Sequence, residues 1–314
     1  MKILVTGCAG FIGANFTEYI LEKYPEDTVI GIDRLTYAAN LTALKRLKVK
    51  ERFSFYQYDI CDRVALEQLF DLQRPDVVVN FAAETHVDRS IESSADFIRT
   101  NVLGTEVLLD LSYRYGVKRF HQVSTDEVYG DVALSDDRRF TEDASLNPSS
   151  PYSASKASAD LIAMSYMRTH GLPVSISRSS NNYGKYQHSE KLIPATVGRI
   201  LCGSPIIIYG DGSNMRNWLY VGDNCSAIDM IIRAGECGIY NVSADNQLSN
   251  LELVNKILSI LDNPDHKLSF VEDRKGHDRK YSVSADKLKA LGWTATADFE
   301  RELAETVKWY CNNI

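Results

Sequence analysis

Short runs of apolar, mostly β-branched residues alternate with longer amphipathic stretches through the first half of the chain. The runs predict strands at residues 3–5, 29–32, 53–56, 77–80, 120–123 and 174–177. The stretches between them predict helices at residues 14–24, 64–72, 93–115 and 153–170. Strands that alternate with helices form βαβ units, in which helices cover both faces of a parallel sheet. The pattern therefore predicts an α/β fold with a doubly wound, Rossmann-type parallel sheet.

The pattern changes after Arg178, where polar and turn-forming residues replace the regular alternation. A later apolar run, Gly238–Val242, predicts a strand that returns to the first sheet. Helical patterns are found at residues 251–261, 287–291 and 299–310. We therefore predict a first domain over residues 1–180, re-entered at about 217–244, and a smaller second domain that comprises most of residues 181–314.

Composition excludes several classes of protein. A chain of 314 residues is long enough for one large domain and a smaller one. Its net charge of -7 disfavours a nucleic-acid partner. The six cysteines show no C-x-x-C spacing, which indicates reduced thiols in a cytoplasmic protein and no metal site. No apolar run approaches the roughly 20 residues of a membrane helix, and no secretory signal is apparent.

A glycine-rich turn follows the first predicted strand. Gly7, Gly10 and Gly13 form a G-x-x-G-x-x-G variant of the dinucleotide fingerprint, in which glycines let a pyrophosphate approach the backbone. Asp33 ends the second strand, where a carboxylate binds the adenosine ribose hydroxyls and repels a 2′-phosphate. NAD is therefore favoured over NADP, although the adjacent Arg34 weakens that preference. The alternative is a glycine-rich turn with a surface aspartate.

Tyr152 and Lys156 lie four residues apart and so project from the same face of a helix. The pKa of a free tyrosine is near 10, and a nearby ammonium ion and a positive nicotinamide both favour its phenolate. Such a phenolate can take a proton from a sugar hydroxyl. Ser124 or Thr125, at a strand end, can bind the same hydroxyl. The alternative for this pair is an ordinary exposed amphipathic helix.

Asp126 and Glu127 directly follow the same strand end. Glu127 can act as a base at a carbon that an adjacent ketone makes acidic. Asp126 can donate a proton to a leaving hydroxyl if burial and the neighbouring carboxylate raise its pKa. A plain hydride-transfer enzyme needs neither group. The alternative is a solvated acidic pair in a loop.

With these residues in place, the chain resembles the extended short-chain dehydrogenase/reductases over nearly its full length, and within them the dTDP-glucose 4,6-dehydratases. The run Thr125-Asp126-Glu127 carries the finer resemblance, because related epimerases and decarboxylases generally lack the acidic pair. The other matching segments are residues 6–13, 33–40, 82–90, 152–156, 180–184, 190–194 and 273–278.

The resemblance implies a tightly held NAD that is regenerated in each turnover of a nucleotide sugar. Tyr152 would take the proton of the C4 hydroxyl as hydride leaves C4, with Thr125 and Lys156 assisting. Glu127 would remove the C5 proton, Asp126 would protonate the departing C6 hydroxyl, and hydride would return to C6. The product would be a 4-keto-6-deoxy sugar nucleotide for deoxysugar biosynthesis.

The same correspondence assigns binding residues. The implied cofactor-binding residues are Gly7, Gly10, Phe11, Ile12, Gly13, Asp33, Arg34, Leu35, Thr36, Asp59, Ile60, Ala82, Ala83, Thr100, Tyr152, Lys156 and Asn182. The implied substrate-binding residues are Thr85, Thr125, Asn181, Lys191, Leu192, Tyr209, Arg216, Asn250 and His277. The resemblance also implies a homodimer formed by the helices near residues 93–115 and 153–170.

Departures from the family pattern leave the base and the sugar of the substrate open. Lys185 and Ser189 stand where the family has proline, and Asn217 stands where it has aspartate. UDP-glucose and an amino sugar nucleotide are therefore alternatives to dTDP-glucose. Two other functions are also compatible with the sequence: a nucleotide-sugar 4-epimerase or decarboxylase, which would not need Asp126 and Glu127, and a non-catalytic NAD-binding regulatory protein.

Overall fold

A seven-stranded parallel sheet is the centre of the fold. The computed structural model describes residues 1–313. Its strands are β1 (Lys2–Thr6), β2 (Thr28–Ile32), β3 (Phe53–Tyr56), β4 (Val77–Asn80), β5 (Arg119–Thr125), β6 (Val174–Ser179), β7 (Asn181–Tyr183), β8 (Ile206–Tyr209), β9 (Met215–Tyr220), β10 (Gly238–Val242), β11 (Gln247–Ser249) and β12 (Leu268–Val271). Its α-helices are α1 (Phe11–Lys23), α2 (Leu41–Lys48), α3 (Arg63–Gln73), α4 (Val87–Glu92), α5 (Ala95–Phe97), α6 (Thr105–Arg114), α7 (Pro151–His170), α8 (Leu192–Leu201), α9 (Val221–Ala234), α10 (Asn250–Ile260), α11 (Asp286–Ala290) and α12 (Phe299–Cys311). A π-helix, Ile98–Gly104, joins α5 to α6, and a 3-10 helix, Asp126–Tyr129, follows β5.

The strand order of this sheet is β10-β6-β5-β4-β1-β2-β3, and every neighbouring pair is parallel. The order reverses between β1 and β4. In such a sheet, ligands bind outside the carboxyl ends of the strands at this reversal. The predicted α/β fold is confirmed, and the topology fixes which edge of the sheet carries the site.

Both faces of the sheet are buried, which explains the continuous apolar runs. Ile3 and Val5 of β1 pack in one core with α1, α2 and α9, whereas Leu4 packs in the opposite core with α3, α6 and α7. Successive side chains of a strand point to opposite faces, so each strand contributes to both cores. Burial of apolar surface at about 25 cal/mol per Å² drives both helical layers onto the sheet.

A smaller unit is built from later parts of the chain. A three-stranded sheet of order β11-β9-β7 and a parallel pair, β8 and β12, pack with α8, α10 and α12. Tyr183, Trp218 and Leu253 are at its core. The chain then re-enters the larger unit, since Cys225 of α9 packs in the core with α1, and β10 pairs with β6. α9 and β10 fall within the predicted re-entry at about 217–244, whereas Trp218 of β9 lies in the core of the smaller unit, and the domain limits stay a prediction.

Several elements lie where the sequence pattern predicted none, including α2, α4, α8 and α9. α9 begins in a polar stretch, residues 222–224, yet Asp223 and Asn224 are buried. The Asp223 carboxylate accepts hydrogen bonds from the backbone of Thr296 and Ala297. Because these partners are distant in sequence, a local pattern does not predict the helix. Within residues 1–313, no helix combines the length and the apolar character that crossing a bilayer requires.

Candidate active site

A cleft of about 740 Å³ lies at the carboxyl edge of the large sheet, between that sheet and the smaller unit. The five residues predicted to be catalytic line it, as do all the predicted cofactor- and substrate-binding residues but one. The exception is Leu35, whose side chain packs against the apolar core. Its φ is 59°, and its backbone N–H donates to Asp33 Oδ1 at 2.8 Å. Leu35 therefore orients Asp33 instead of lining the cleft.

The glycine-rich turn forms one wall of the cleft. Gly7 has a φ of +64°, and a Cβ there would lie 2.9 Å from the backbone nitrogen of Ala82. A Cβ on Gly13 would lie 2.3 Å from the carbonyl oxygen of Gly7. No side chain fits at either place, so the turn packs directly on β4 and α1. The amino end of α1 then faces the cleft with unpaired N–H groups, which is an arrangement that binds phosphate.

Acidic and basic side chains follow at the ends of the next strands. Asp33 Oδ2 accepts the N–H of Ala9 at 3.0 Å, and burial raises the pKa of Asp33. Arg34 Nη2 donates to Glu84 Oε1 at 2.6 Å, and Arg34 Nη1 donates to Asp59 Oδ2 at 3.5 Å. The Arg34 guanidinium is therefore paired with two carboxylates.

Tyr152 and Lys156 lie at the start of α7, where local sequence positions them closely. Pro151 is the first residue of the helix, and Ser150 caps it in a capping box with Ser153. Lys156 Nζ donates to the carbonyl oxygen of Val123 at 2.6 Å, and burial lowers the pKa of Lys156 to about 8. This contact ties the helix to β5 beside the acidic pair.

The pKa of Tyr152 is raised, which is opposite to the direction expected from its neighbours in sequence. Burial is the largest cause, and the charges of Glu127 and Asp126 add to it. The sequence pattern places Lys156 beside Tyr152 but does not show that the ring of Tyr152 is enclosed. This ring packs edge-on against Phe97, with 6.4 Å between the two ring centroids. Burial and the acidic pair therefore favour the neutral phenol of Tyr152.

Asp126 and Glu127 open the 3-10 helix after β5. Thr125 Oγ1 accepts the N–H of Glu127 at 3.3 Å and caps this turn. Asp126 is 3% exposed, and its Oδ2 has no hydrogen-bond partner. Burial, followed by the charge of Glu127, raises the pKa of Asp126 to about 8. Burial also raises the pKa of Glu127, whereas the charge of Arg216 lowers it. Burial thus favours the neutral acid at Asp126, whereas the charge of Arg216 favours the ionised form of Glu127.

Arg216 lies on β9 on the opposite side of the cleft. It is 6% exposed and donates to the carbonyl oxygens of Met215 at 2.8 Å and Asp278 at 3.0 Å. Its guanidinium lies 4.3 Å from the ring centroid of Tyr281. These contacts hold the planar group rigid, and a rigid guanidinium suits the oxygens of a diphosphate.

Three contacts connect the two sides of the cleft, and we call them the cleft bridge. They are Lys191 Nζ to the carbonyl oxygen of Thr85 at 2.9 Å, Arg274 Nη2 to Asp88 Oδ2 at 2.9 Å, and His86 Nε2 to Glu190 Oε2 at 3.5 Å. The bridge joins the loop after β4 and the start of α4 to the segments before α8 and after β12. The bridge thus holds both sets of site residues around one cleft.

Several cleft residues were not identified from the sequence. Glu84, Trp218, Arg274 and Tyr281 all line the cleft. Glu84 and Arg274 lie inside segments that match the family. The resemblance therefore pointed to these segments but did not single out either residue. Within the described chain, no group of three or more His, Cys, Asp or Glu side chains is arranged to hold a metal ion.

Comparison with known proteins gives consistent results. The family model described as GDP-mannose 4,6 dehydratase matches residues 4–306. The dTDP-glucose 4,6-dehydratase of Haemophilus influenzae is 45% identical, over 100% of this chain and 98% of that protein. A low-salt glycan biosynthesis protein of Haloferax volcanii is 47% identical, over 99% and 98%. The structure of the dTDP-glucose 4,6-dehydratase of Streptomyces venezuelae with NAD and TYD bound superposes with a TM-score of 0.96 at 44% identity, over 100% of this chain and 98% of that chain.

Proposed function

The chain belongs to the GDP-mannose 4,6-dehydratase family, and on that premise we propose that it is an NAD-dependent dTDP-glucose 4,6-dehydratase. Such a lyase converts dTDP-glucose to the 4-keto-6-deoxy sugar nucleotide and water. One observation carries the proposal: Asp126 and Glu127 enter the same cleft as Tyr152, and their charges act on its pKa. An epimerase or a decarboxylase has no use for this acidic pair. The full-length similarity to dTDP-glucose 4,6-dehydratases supports the same activity.

The residues present fit NAD. Gly7 and Gly13 pack so closely on neighbouring backbone that neither position admits a Cβ, and this tight turn lets a pyrophosphate approach the backbone at the start of α1. Asp33 is poised for the ribose hydroxyls, and Arg34 is engaged by two carboxylates and is not free for a 2′-phosphate. The residues that would hold NAD are Gly7, Gly10, Phe11, Ile12, Gly13, Asp33, Arg34, Thr36, Asp59, Ile60, Ala82, Ala83, Thr100, Tyr152, Lys156 and Asn182. When bound, NAD would supply the hydride acceptor for oxidation at C4 of the sugar and the hydride donor for reduction at C6.

Tyr152 removes the proton of the C4 hydroxyl in this proposal. Its raised pKa makes it a strong base once it is ionised, and Lys156 supplies a positive charge one helical turn away. The Thr125 hydroxyl, at the end of β5, orients the sugar hydroxyl toward Tyr152. General-base catalysis of this kind contributes about 10²- to 10⁴-fold to a rate.

Glu127 and Asp126 carry out the elimination. Glu127 removes the C5 proton, which the C4 ketone makes acidic, and Arg216 favours the ionised form of Glu127. Asp126 donates a proton to the C6 hydroxyl, since its pKa of about 8 keeps it protonated at neutral pH. Two adjacent carboxyl groups thus take opposite roles because burial and the charge of Glu127 keep Asp126 protonated, whereas the charge of Arg216 favours ionisation of Glu127.

The diphosphate of the substrate binds Arg216 in this proposal. The other side chains and loops that would contact the nucleotide sugar are Thr85, Thr125, Asn181, Lys191, Leu192, Tyr209, Asn250 and His277. Asn181 Oδ1 is buried without a hydrogen-bond partner, so a sugar hydroxyl can satisfy it. These contacts accommodate dTDP-glucose and leave UDP-glucose as the competing substrate.

The activity is tested with dTDP-glucose and UDP-glucose in separate incubations, followed by mass analysis for the loss of one water. We expect dTDP-glucose to lose water, and the Asp126→Asn/Glu127→Gln variant to leave its mass unchanged. A C4 epimer with no loss of mass would identify an epimerase. Bound dinucleotide with no change in either sugar would identify a non-catalytic NAD-binding protein.

We also propose a cytoplasmic homodimer. Ile98, Leu103 and Tyr113, on the helical stretch from Ala95 to Arg114, and Leu161 of α7 are about half exposed or more. Large apolar side chains on two neighbouring helices suit a contact with a second copy. Light scattering should give twice the chain mass, and Leu161→Lys should give monomers. All six cysteines are free thiols, which is consistent with a reducing compartment.

A further inference from the structure

Two adjacent residues after β2 favour different cofactors. Asp33 is an acid of the kind that binds the ribose hydroxyls of NAD, whereas a nearby arginine can bind the 2′-phosphate of NADP. Arg34 lines the cleft, and its side chain is 29% exposed, so a bound dinucleotide can reach the guanidinium. These two neighbours alone therefore leave the choice between NAD and NADP open.

Glu84, in the loop after β4, is the closer of the two carboxylate partners of Arg34. Glu84 Oε1 accepts from Arg34 Nη2 at 2.6 Å, whereas the contact from Arg34 Nη1 to Asp59 Oδ2 is 3.5 Å long. The same oxygen of Asp59 also accepts from Arg99 Nη2 at 2.9 Å. The Glu84 side chain is 11% exposed and that of Asp59 is 22% exposed. The shorter and less exposed contact of Arg34 is therefore the one with Glu84.

The backbone of Glu84 is fixed by Asn101, a residue of the π-helix. Asn101 Oδ1 accepts the N–H of Glu84 at 2.8 Å, and Asn101 Nδ2 donates to the carbonyl oxygen of Glu84 at 3.1 Å. Asn101 Nδ2 also donates to Ser155 Oγ of α7 at 2.8 Å. Asn101 is buried, and hydrogen bonds are electrostatically stronger in a buried site than in water. Both backbone groups of Glu84 are therefore held, which leaves its carboxylate little freedom to move away from Arg34.

A 2′-phosphate on the cofactor would meet an occupied guanidinium and a cluster of negative charge. The carboxylates of Asp33, Asp59 and Glu84 all line the cleft, and a phosphate monoester carries about −1.5 to −2 charges at neutral pH. Arg34 could bind this phosphate only by leaving Glu84, whose carboxylate would then be mostly shielded from water and without a cation. The neutral 2′-hydroxyl of NAD makes neither demand. Discrimination of this kind depends on repulsion of the wrong ligand as well as attraction of the right one.

We propose that Glu84 determines the choice of cofactor: held by Asn101, it keeps the donors of Arg34 occupied and so excludes NADP. The inference rests on the proposed placement of NAD, with its adenosine ribose at Asp33. Glu84 thus cancels the signal for NADP that Arg34 gives in the sequence. Without the Glu84 charge, the same arginine is free to make charge-assisted hydrogen bonds to a 2′-phosphate.

The test measures how the purified holoprotein distributes between NAD and NADP. The parent protein and Glu84→Gln are incubated with an equimolar mixture of the two dinucleotides until the bound ratio is constant, and the bound dinucleotides are then extracted and quantified by chromatography. Glutamine keeps the size of the side chain and removes its charge. We expect Glu84→Gln to raise the bound NADP-to-NAD ratio at least about tenfold, because an arginine–phosphate contact becomes available. An unchanged ratio would overturn the proposal.

Two further variants distinguish this role from a general effect of charge. Glu84→Gln/Arg34→Gln should return the ratio to about the parent value, and a gain that persisted without Arg34 would overturn the role of that arginine. The matched control is Glu18→Gln, because Glu18 pairs with Lys185 at 2.7 Å and is 13% exposed but does not line the cleft. The control should leave the ratio unchanged. An equal shift in Glu18→Gln would mean that the ratio follows overall charge and would also refute the proposal.

Glu84→Asp carries the test if Glu84→Gln does not fold. Its side chain is one methylene shorter and cannot keep the 2.6 Å contact with Arg34 while Asn101 holds the backbone. The bound ratio should therefore rise in the same direction, and an unchanged ratio would again count against Glu84. The measurement needs neither sugar nor turnover. A shifted ratio in a protein that leaves dTDP-glucose unchanged would refute the proposed substrate alone, whereas loss of water with an unshifted ratio would refute the role of Glu84 alone.

Discussion

Replacement of Asp126 by asparagine should make the protein more stable and much less active. The substitution keeps the size of the side chain and an oxygen that can accept from Thr125 Oγ1, which lies 3.4 Å from Asp126 Oδ1. It removes the proton that the C6 hydroxyl needs. Loss of a general acid lowers a rate by about 10²- to 10⁴-fold.

The stability gain follows from the pKa of Asp126, which rises from 3.8 to about 8 on folding. Above pH 3.8 the unfolded chain has released this proton, whereas the folded chain keeps it until about pH 8. Stability therefore falls as the pH rises through this window. Each pH unit corresponds to roughly 1.4 kcal/mol, so the loss at neutral pH is on the order of 4 kcal/mol. Asparagine removes this loss.

Denaturant unfolding at a series of pH values measures this effect. The advantage of Asp126→Asn over the parent should grow between about pH 5 and pH 8, while the loss of water from dTDP-glucose becomes slow. The matched control is Asp137→Asn, because the Asp137 side chain is fully exposed; its stability difference should not grow in this way. A pH-independent advantage for Asp126→Asn would mean that Asp126 ionises as readily in the folded chain, and its role as the acid would fail.

Three further substitutions test other parts of the site. Glu127→Gln should allow oxidation at C4 but slow the loss of water at least about 100-fold. Stopped-flow absorbance should therefore show reduced cofactor accumulating, and prompt reoxidation would contradict the role of Glu127 as the base at C5. Arg216→Lys should weaken dTDP binding about tenfold by calorimetry, because lysine lacks the planar donor fork, and unchanged affinity would place the diphosphate elsewhere. Gly13→Ala puts a Cβ 2.3 Å from the Gly7 oxygen, so the purified protein should carry little NAD, and full NAD content would show that the turn can move.

The sequence predicted the parts of the fold that depend on local pattern. β1 to β6 coincide with apolar runs because both faces of the sheet are buried, and α7 follows the capping signals at Ser150 and Pro151. The acidic pair was found because it directly follows a strand end. In each of these cases, neighbouring residues determine the structure.

The remaining features depend on contacts that no local pattern contains. Arg274 and Asp88 are 186 residues apart in the chain, yet their ion pair helps to close the cleft. Tyr152 has a raised pKa because the folded chain encloses its ring beside Glu127. Leu35 was expected at the cofactor, but its side chain packs against the core and does not line the cleft. Each outcome depends on tertiary packing.

The cleft bridge bears on how a reactive sugar is retained. Between loss of water and return of hydride, the hexose is an unsaturated ketone that thiols and water attack. The Arg274 and Asp88 side chains are 22% and 31% exposed, so dissolved salt screens their attraction. We therefore expect high ionic strength to weaken this contact of the cleft bridge and so to speed both the departure of finished product and the premature escape of the electrophile. A weaker ion pair would thus release the product faster but retain the unsaturated ketone less well.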